Sequence, residues 1–384
     1  MKQVAGLIGT YSSDEFGICS ALFELGGMVV MHDASGCNST YTTHDEPRWY
    51  DIDSMIFISA ISEMEAIMGD DDKLINDIIE TANDLNPAFI AIVGAPIPYM
   101  IGTDLPAIAS VIEQETGVPC MGFPANGMQH YTKGLSMAFE QIVHRFCISD
   151  VKKTEQLSVN IIGATPLDFS LNGSVDSIKD WICEHDMQSG VCMAMGSSLE
   201  EMKTAGKAHV NLVVSYGGLK AARVLEEMFG TPYVVGIPFG EIFADKLAIT
   251  VKEAAKSGKS FVGYQKSSYD KKTNQTLKII GESVYSSSLA SAIELEYGID
   301  IQVLCPLDTE EGLLREGDIV TPEEDDLLNL LSDTHGLIAD PMYQSICPVD
   351  TKFYRLPHEA FSGRIYDSMN PNLINRKLNH IEEM

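Results

Sequence analysis

Residues able to do redox, acid–base or metal chemistry crowd into one stretch of this sequence: His32, Asp33, Cys37, His44, Asp45, Glu46 and Arg48. The first of them follow the apolar run Met28–Met31 in a loop, HDASGC, where Gly36 precedes the thiol. Thiolate, imidazole and carboxylate groups can together ligate a metal. A solvated loop would carry similar Asp, Ser and Gly, so composition leaves both readings open. Cys183, Cys192 and Cys305 lie in apolar periodic segments and read as small buried hydrophobes. Cys19, in FGICSAL, reads first as helical core and second as a further ligand near Cys37. No CxxC pair occurs, which removes zinc ribbons, thioredoxin motifs and ferredoxin-type runs. Farther along, His358 and Arg364 flank a Ser-Gly turn in LPHEAFSGR. They could line a cleft, with the arginine fork suited to a carboxylate, or serve as a cap and a salt bridge.

These residues need elements to hold them. The dominant pattern is a short β-branched run, a polar or Gly-rich loop and then a helical period, which predicts parallel sheet with crossover helices. Leu74, Ile75, Ile78, Ile79, Ala82 and Leu85 follow a 3.6-residue period. Ser198 with Glu201 has the form of a capping box, and Thr321-Pro322-Glu323-Glu324 predicts a helix capped by Thr321. Polar stretches near residues 150 and 270 divide the chain into three similar doubly wound, Rossmann-like units, 1–150, 151–270 and 271–384. The alternative is two domains with a long insertion. In such sheets ligands bind beyond the carboxyl ends of strands. That selects the loops at 32–37, 94–104, 163–168, 215–218, 338–343 and 356–364. None carries a GxGxxG, Walker A, GxSxG or HExxH motif, so dinucleotides, bound nucleoside triphosphates, serine hydrolysis and zinc proteolysis find no support.

Bulk composition narrows the classes further. A chain of 384 residues with 45% hydrophobic content can build more than one core. A formal charge of −29, from 26 basic and 55 acidic residues, argues against nucleic acid. No apolar run reaches the roughly 18–20 residues of a membrane span. Asp14 and Glu15 interrupt the start before an apolar signal core develops, so a cytoplasmic protein with reduced thiols is expected.

The run GLIGTYSSDEFGICSALFELGGMVVMHDASGCNSTYTTHDEPRWY resembles the opening of nitrogenase component 1 proteins. ISEMEAIMGDDDKL, PIPYMIGTDLPAI, GFPANGMQHYTKG, VNLVVSYGGLKAARVLEEMFGTPYVVGIPFG, LIADPMYQ and RLPHEAFSGRIYD resemble later segments of that family, in order and across nearly the whole chain. The resemblance implies an α/β fold of three stacked Rossmann-like domains and an iron–sulfur cluster held at Cys37, with Gly36 and Asp33 beside it. It also implies departures. Two further cluster cysteines of the family fall near Thr10 and near Gly94 or Ala95, and the cysteine that holds the active-site cofactor falls at Ser215. One thiol per chain fits a [4Fe–4S] cluster shared across a homodimer, or a heterodimer with a paralogous chain. Cys19, His32 and Asp33 are then the candidates for the missing ligands, with His44 as another. The implied activity is reduction of a small substrate with electrons from an ATP-dependent iron protein, with His358, Arg364 and Ser215 near the substrate. His32, His44 or His358 could deliver protons. A metallocofactor scaffold and a metal-free binding protein are the alternatives.

Overall fold

The computed structural model describes residues 6–36, 38, 46–266 and 276–378. Fourteen short strands form three sheets. β1 (Met28–Met31), β2 (Met55–Ile58), β3 (Ile90–Val93) and β4 (Cys120–Phe123) make the first, in the order β2-β1-β3-β4. β5 (Ser158–Ile162), β6 (Gln188–Cys192), β7 (Val210–Val213), β8 (Tyr233–Val235) and β9 (Phe261–Val262) make the second, ordered β6-β5-β7-β8-β9. The third holds β10 (Thr276–Ile280), β11 (Asp300–Cys305), β12 (Ile319–Val320), β13 (Gly336–Ala339) and β14 (Lys352–Arg355), in the order β12-β11-β10-β13-β14.

Every strand pairing is parallel. Parallel neighbours need a crossover between them, which the intervening helices supply. β1, β3, β4, β5, β7 and β13 are buried along their whole length, as expected of strands covered on both faces. The fold class expected from the sequence is the one observed. Among the described residues no helix is long and apolar enough to cross a membrane.

Helix Asp72–Leu85 buries Leu74, Ile78 and Ala82 on one face, following the predicted period. The capping box of Ser198 and Glu201 is formed. The predicted cap at Thr321 is not: the helix runs Glu324–Leu331, with Glu323 as its cap residue. Thr321 instead continues the sheet edge, its N–H donating to the Cys305 carbonyl at 2.7 Å. Glu324 turns to the amino-terminal segment, where one carboxylate oxygen accepts from the N–H groups of Gly6, Leu7 and Ile8 at 2.8–3.0 Å.

One apolar core, running from Ile18 and Phe139 to Leu225, Leu304 and Phe361, joins the elements around the three sheets. Its axis is the crossing of helices Asp14–Leu22 and Tyr131–Phe146. Gly17 and Gly134 permit that approach, since a Cβ on Gly134 would collide with the Asp14 carbonyl. Gly134→Ala should therefore lower stability by about 1–3 kcal/mol, although Ala favours a helix by about 1 kcal/mol. Urea unfolding checks the sign; a more stable variant would mean the crossing opens without cost.

A buried junction at the carboxyl ends of the strands

The turn after β5 places Asp168 at the end of the helical turn Pro166–Phe169, fully inside the protein. The segment after β14 brings His358 to it, with Nε2 3.1 Å from Asp168 Oδ1. Tyr131, the first residue of its helix, donates its hydroxyl to the same oxygen at 2.5 Å and lies 3.4 Å from His358 Nε2. Burial and the adjacent Asp168 carboxylate hold the Tyr131 hydroxyl far above the usual phenol range, so it stays a donor. Residues 37 and 190 positions away in the chain thus meet on the Asp168 carboxylate. Asp340, at the end of β13, fixes the arrangement by accepting from the His358 N–H at 2.8 Å and the Ser362 hydroxyl at 2.6 Å.

Glu282 enters from the end of β10. It caps its own helix, accepting from Tyr285 N–H at 2.8 Å, and reaches the second unit by accepting from Tyr216 N–H at 3.0 Å. Burial, and after it the Asp168 charge, push its carboxyl up to about 7. Between Glu282, Tyr285, Asp340 and His358 lies a cavity of about 20 Å³, room for one water. His358 Nδ1 and Asp168 Oδ2 have no protein hydrogen-bond partner.

A larger cleft, about 660 Å³, opens beside this junction, walled by residues 10–13, 16, 127–130 and 359–363 and by Leu167. Tyr11 lines both spaces, stacked on Tyr131 and edge-on to His358 with ring centroids 5.4 Å apart. Thr10, at one family cysteine position, lines the cleft. Gly94, which with Ala95 is one of the two positions the resemblance offers for another family cysteine, is packed so that a Cβ would stand 2.5 Å from the Ala125 carbonyl oxygen; a cysteine at Gly94 would require the backbone to move.

The other predicted residues are dispersed. Ser215 is fully buried ahead of helix Tyr216–Phe229, its hydroxyl without a partner, and it lines neither space. Arg364 is exposed, with its guanidinium 5.7 Å from the centre of the Tyr50 ring, and does not line the cleft. Cys19 lies inside the core with no exposed surface, and burial holds its thiol far above the usual range. Such a thiol is a poor metal ligand.

At the end of β1, His32 and Asp33 are buried, and Gly36 has open space where a side chain would be. Cys37, His44 and Asp45 lie outside the described residues. His32 Nδ1 is 2.8 Å from the Ser59 hydroxyl, and burial lowers its imidazole to about 4, so the ring is neutral near pH 7. One Asp33 oxygen accepts from Asn38 at 2.9 Å; the other is buried without a partner. Burial also raises the Asp33 carboxyl above the usual range. Glu46 and Arg48 pair with each other instead, at 2.6 Å. Among the described residues no group of three or more His, Cys, Asp and Glu side chains could hold a metal ion.

Sequence reasoning selected the loops that carry Asp168 and Asp340 but not those two residues, and it missed Tyr11, Tyr131 and Glu282. Their shared signal is position, at or just beyond a strand's carboxyl end or a helix start.

A model of the family described as nitrogenase component 1 type oxidoreductase matches residues 20–306. A light-independent protochlorophyllide reductase chain of Nostoc punctiforme is 26% identical over 210 residues, 49% of this chain and 40% of that protein. The nitrogenase iron-molybdenum cofactor biosynthesis protein NifE of Clostridium pasteurianum is 24% identical over 181 residues, 46% of this chain and 38% of that one. The chain thus spans well under half the length of these curated relatives. A solved chain titled nitrogenase Cp1 at pH 6.5 shares the fold with a TM-score of 0.74, at 16% identity, over 100% of this chain and 93% of that one.

Proposed function

This chain is a member of the nitrogenase component 1 type oxidoreductase family, and from that premise we propose that it is one chain of a nitrogenase-like reductase. In this reading an ATP-dependent iron protein supplies electrons, the chain pairs with a second copy or a paralogue, and a small substrate sits in the larger cleft beside the junction. The cytoplasm is its compartment.

The observation that carries the reading is the loop after β1, where a buried Asp33 oxygen without a partner stands just ahead of Gly36 and Cys37. Cys37, Asp33 and the neutral His32 are the residues that would hold an iron–sulfur cluster, and pairing two chains would double the set. Such a cluster supplies single-electron transfer. Cys19 drops out of the ligand set. The position of the family's active-site cofactor does not fit a metal group here: Ser215 offers a buried hydroxyl, and the space beside His358 is about 20 Å³, room for no more than a water. No step is assigned to a group at that position.

The chain's own residues can handle protons. His358 is oriented by Asp168 through Nε2 and by Asp340 through its backbone, leaving Nδ1 open. Glu282, with its carboxyl near 7, faces the same one-water cavity and can exchange a proton with it. Arg364 and Ser215 have no role in this scheme.

Anaerobically purified protein should be brown and hold about four irons per dimer, the content of one cubane. Cys37→Ala should lose that iron while keeping the fold. Colourless, iron-free protein made under strict anoxia with ample sulfide would sink the reading. The similarity to a cofactor biosynthesis protein supports a second one, in which the chain carries a metallocofactor. Adding a cognate iron protein with ATP separates the two: turnover of a small substrate supports the reductase, and hand-over of metal without turnover supports the scaffold.

A further inference from the structure

Glu359 stands at the wall of the 660 Å³ cleft, one residue beyond His358. It is only 5% exposed, yet its Oε1 has no protein hydrogen-bond partner. Leaving a carboxylate buried without a partner costs several kcal/mol, so structures keep such groups paired or neutral. The carboxyl is pushed up to about 7, first by burial and then by Asp367 and Glu46; His358 and Arg364 offset part of this. The group is therefore poised to change its charge when a partner arrives.

The rest of the cleft says what that partner is. Tyr11, Phe16, Phe361 and Met128 provide aromatic and apolar wall, and among the described residues no Lys or Arg lines it. His130, the imidazole among the described lining residues, is already 3.4 Å from Asp308, which holds that carboxylate below its usual range. An anion would meet Glu359 with no Lys or Arg on the described wall of the cleft to oppose it. A cation would gain a charge-assisted hydrogen bond, and its apolar body would gain contact with the aromatic and apolar wall. The cleft's volume is that of a pocket for a drug-sized molecule.

We infer that this cleft binds a compact ligand with an apolar body and a cationic nitrogen head, an amine or amidine, which Glu359 recognises. The inference rests on the proposed function only in taking this cleft as the substrate's place. Glu359 is a binding residue here; no bond is made or broken in recognition.

Isothermal titration of the full chain with benzamidine, at about pH 8 where a carboxyl of this kind is mostly ionised, tests the inference. A saturable isotherm is expected for benzamidine and none for benzoate. Glu359→Gln, nearly the same shape without the charge, should weaken benzamidine at least about tenfold. Met128→Trp offers a second variant: Met128 is 65% exposed at the cleft, so the larger ring can obstruct it without entering the core, and it too should weaken binding. Circular dichroism confirms that each variant is folded. Absence of saturable benzamidine binding, equal binding of benzoate, or unchanged affinity in folded Glu359→Gln would overturn the inference. Iron content is a separate readout: iron-free protein that still binds benzamidine would sink the reductase and keep the amine site, and brown protein that ignores benzamidine would do the reverse.

Discussion

Arg48→Ala is expected to destabilise the protein by about 3–5 kcal/mol, the cost of removing one partner of a buried ion pair. Arg48 is among the largest fully buried side chains. Its guanidinium reaches Glu46 at 2.6 Å, Glu24 at 3.0 Å, the Ala194 carbonyl at 2.6 Å and the Ser20 carbonyl at 2.8 Å, and it lies 4.7 Å from the centre of the Phe23 ring. One side chain thus joins the first helix, the segment after the cysteine-bearing stretch and the loop beyond β6. Truncation removes the guanidinium from the buried Glu46 carboxyl and leaves it the Arg48 backbone N–H, 3.2 Å away. Arg48→Ala made in a Glu46→Gln background should accordingly cost less than the two single losses added together. Urea unfolding of the four proteins measures this; strict additivity would show that the pair is not coupled.

A second large effect is a fall in stability as pH rises. The carboxyls of Glu15, Glu282 and Glu359 are each raised from 4.5 to about 7, first of all by burial. Between these values the folded chain holds protons that the unfolded chain has released. Folding therefore takes up protons, and stability is greatest below the unfolded value and is lost as pH rises toward 7. Each group contributes on the order of 3 kcal/mol. His32, lowered from 6.5 to about 4 by burial, works in the opposite direction between those two values. His209, also lowered by burial, joins His32, while Asp33, raised by burial, joins the carboxyls, and the three large carboxyl shifts leave a net fall. Urea midpoints taken from about pH 5 to 7.5 should decline, and Glu282→Gln should remove about a third of the carboxyls' share. Comparing slopes, not absolute stability, separates the charge effect from any loss of Glu282's capping bonds. A flat or rising profile would mean that these carboxyls are ionised in the folded chain.

The readable part of this protein was its periodicity. Apolar runs such as IAIV and SVNII, and the 3.6-residue spacing of Leu74, Ile78 and Ala82, report local burial directly. The helix start at Thr321 misled because its cap pattern competes with a sheet contact to Cys305, a partner 16 positions earlier in the chain that local pattern cannot reveal. His358 was legible as a histidine beside a turn, but its role was not: Asp168, which orients it, lies 190 positions away. Arg364 looked equally suited to a cleft, and the turn at Gly363 points its fork to the surface beside Tyr50.

The sequence by itself determined the three-sheet α/β architecture, the family, and the one cysteine that stands in a polar loop. Strand and helix periods are local and survive being read one residue at a time, and ordered motifs accumulate along a chain. Only the tertiary structure decided that Tyr131, Asp168, Glu282 and His358 share one buried junction, that Ser215 is sealed away from it, and that Glu359 faces a cleft without a protein partner. Those facts depend on which strand ends converge and on what packing removes from water. Charge, protonation and hydrogen-bond supply at the junction follow from that burial, and burial belongs to the fold as a whole.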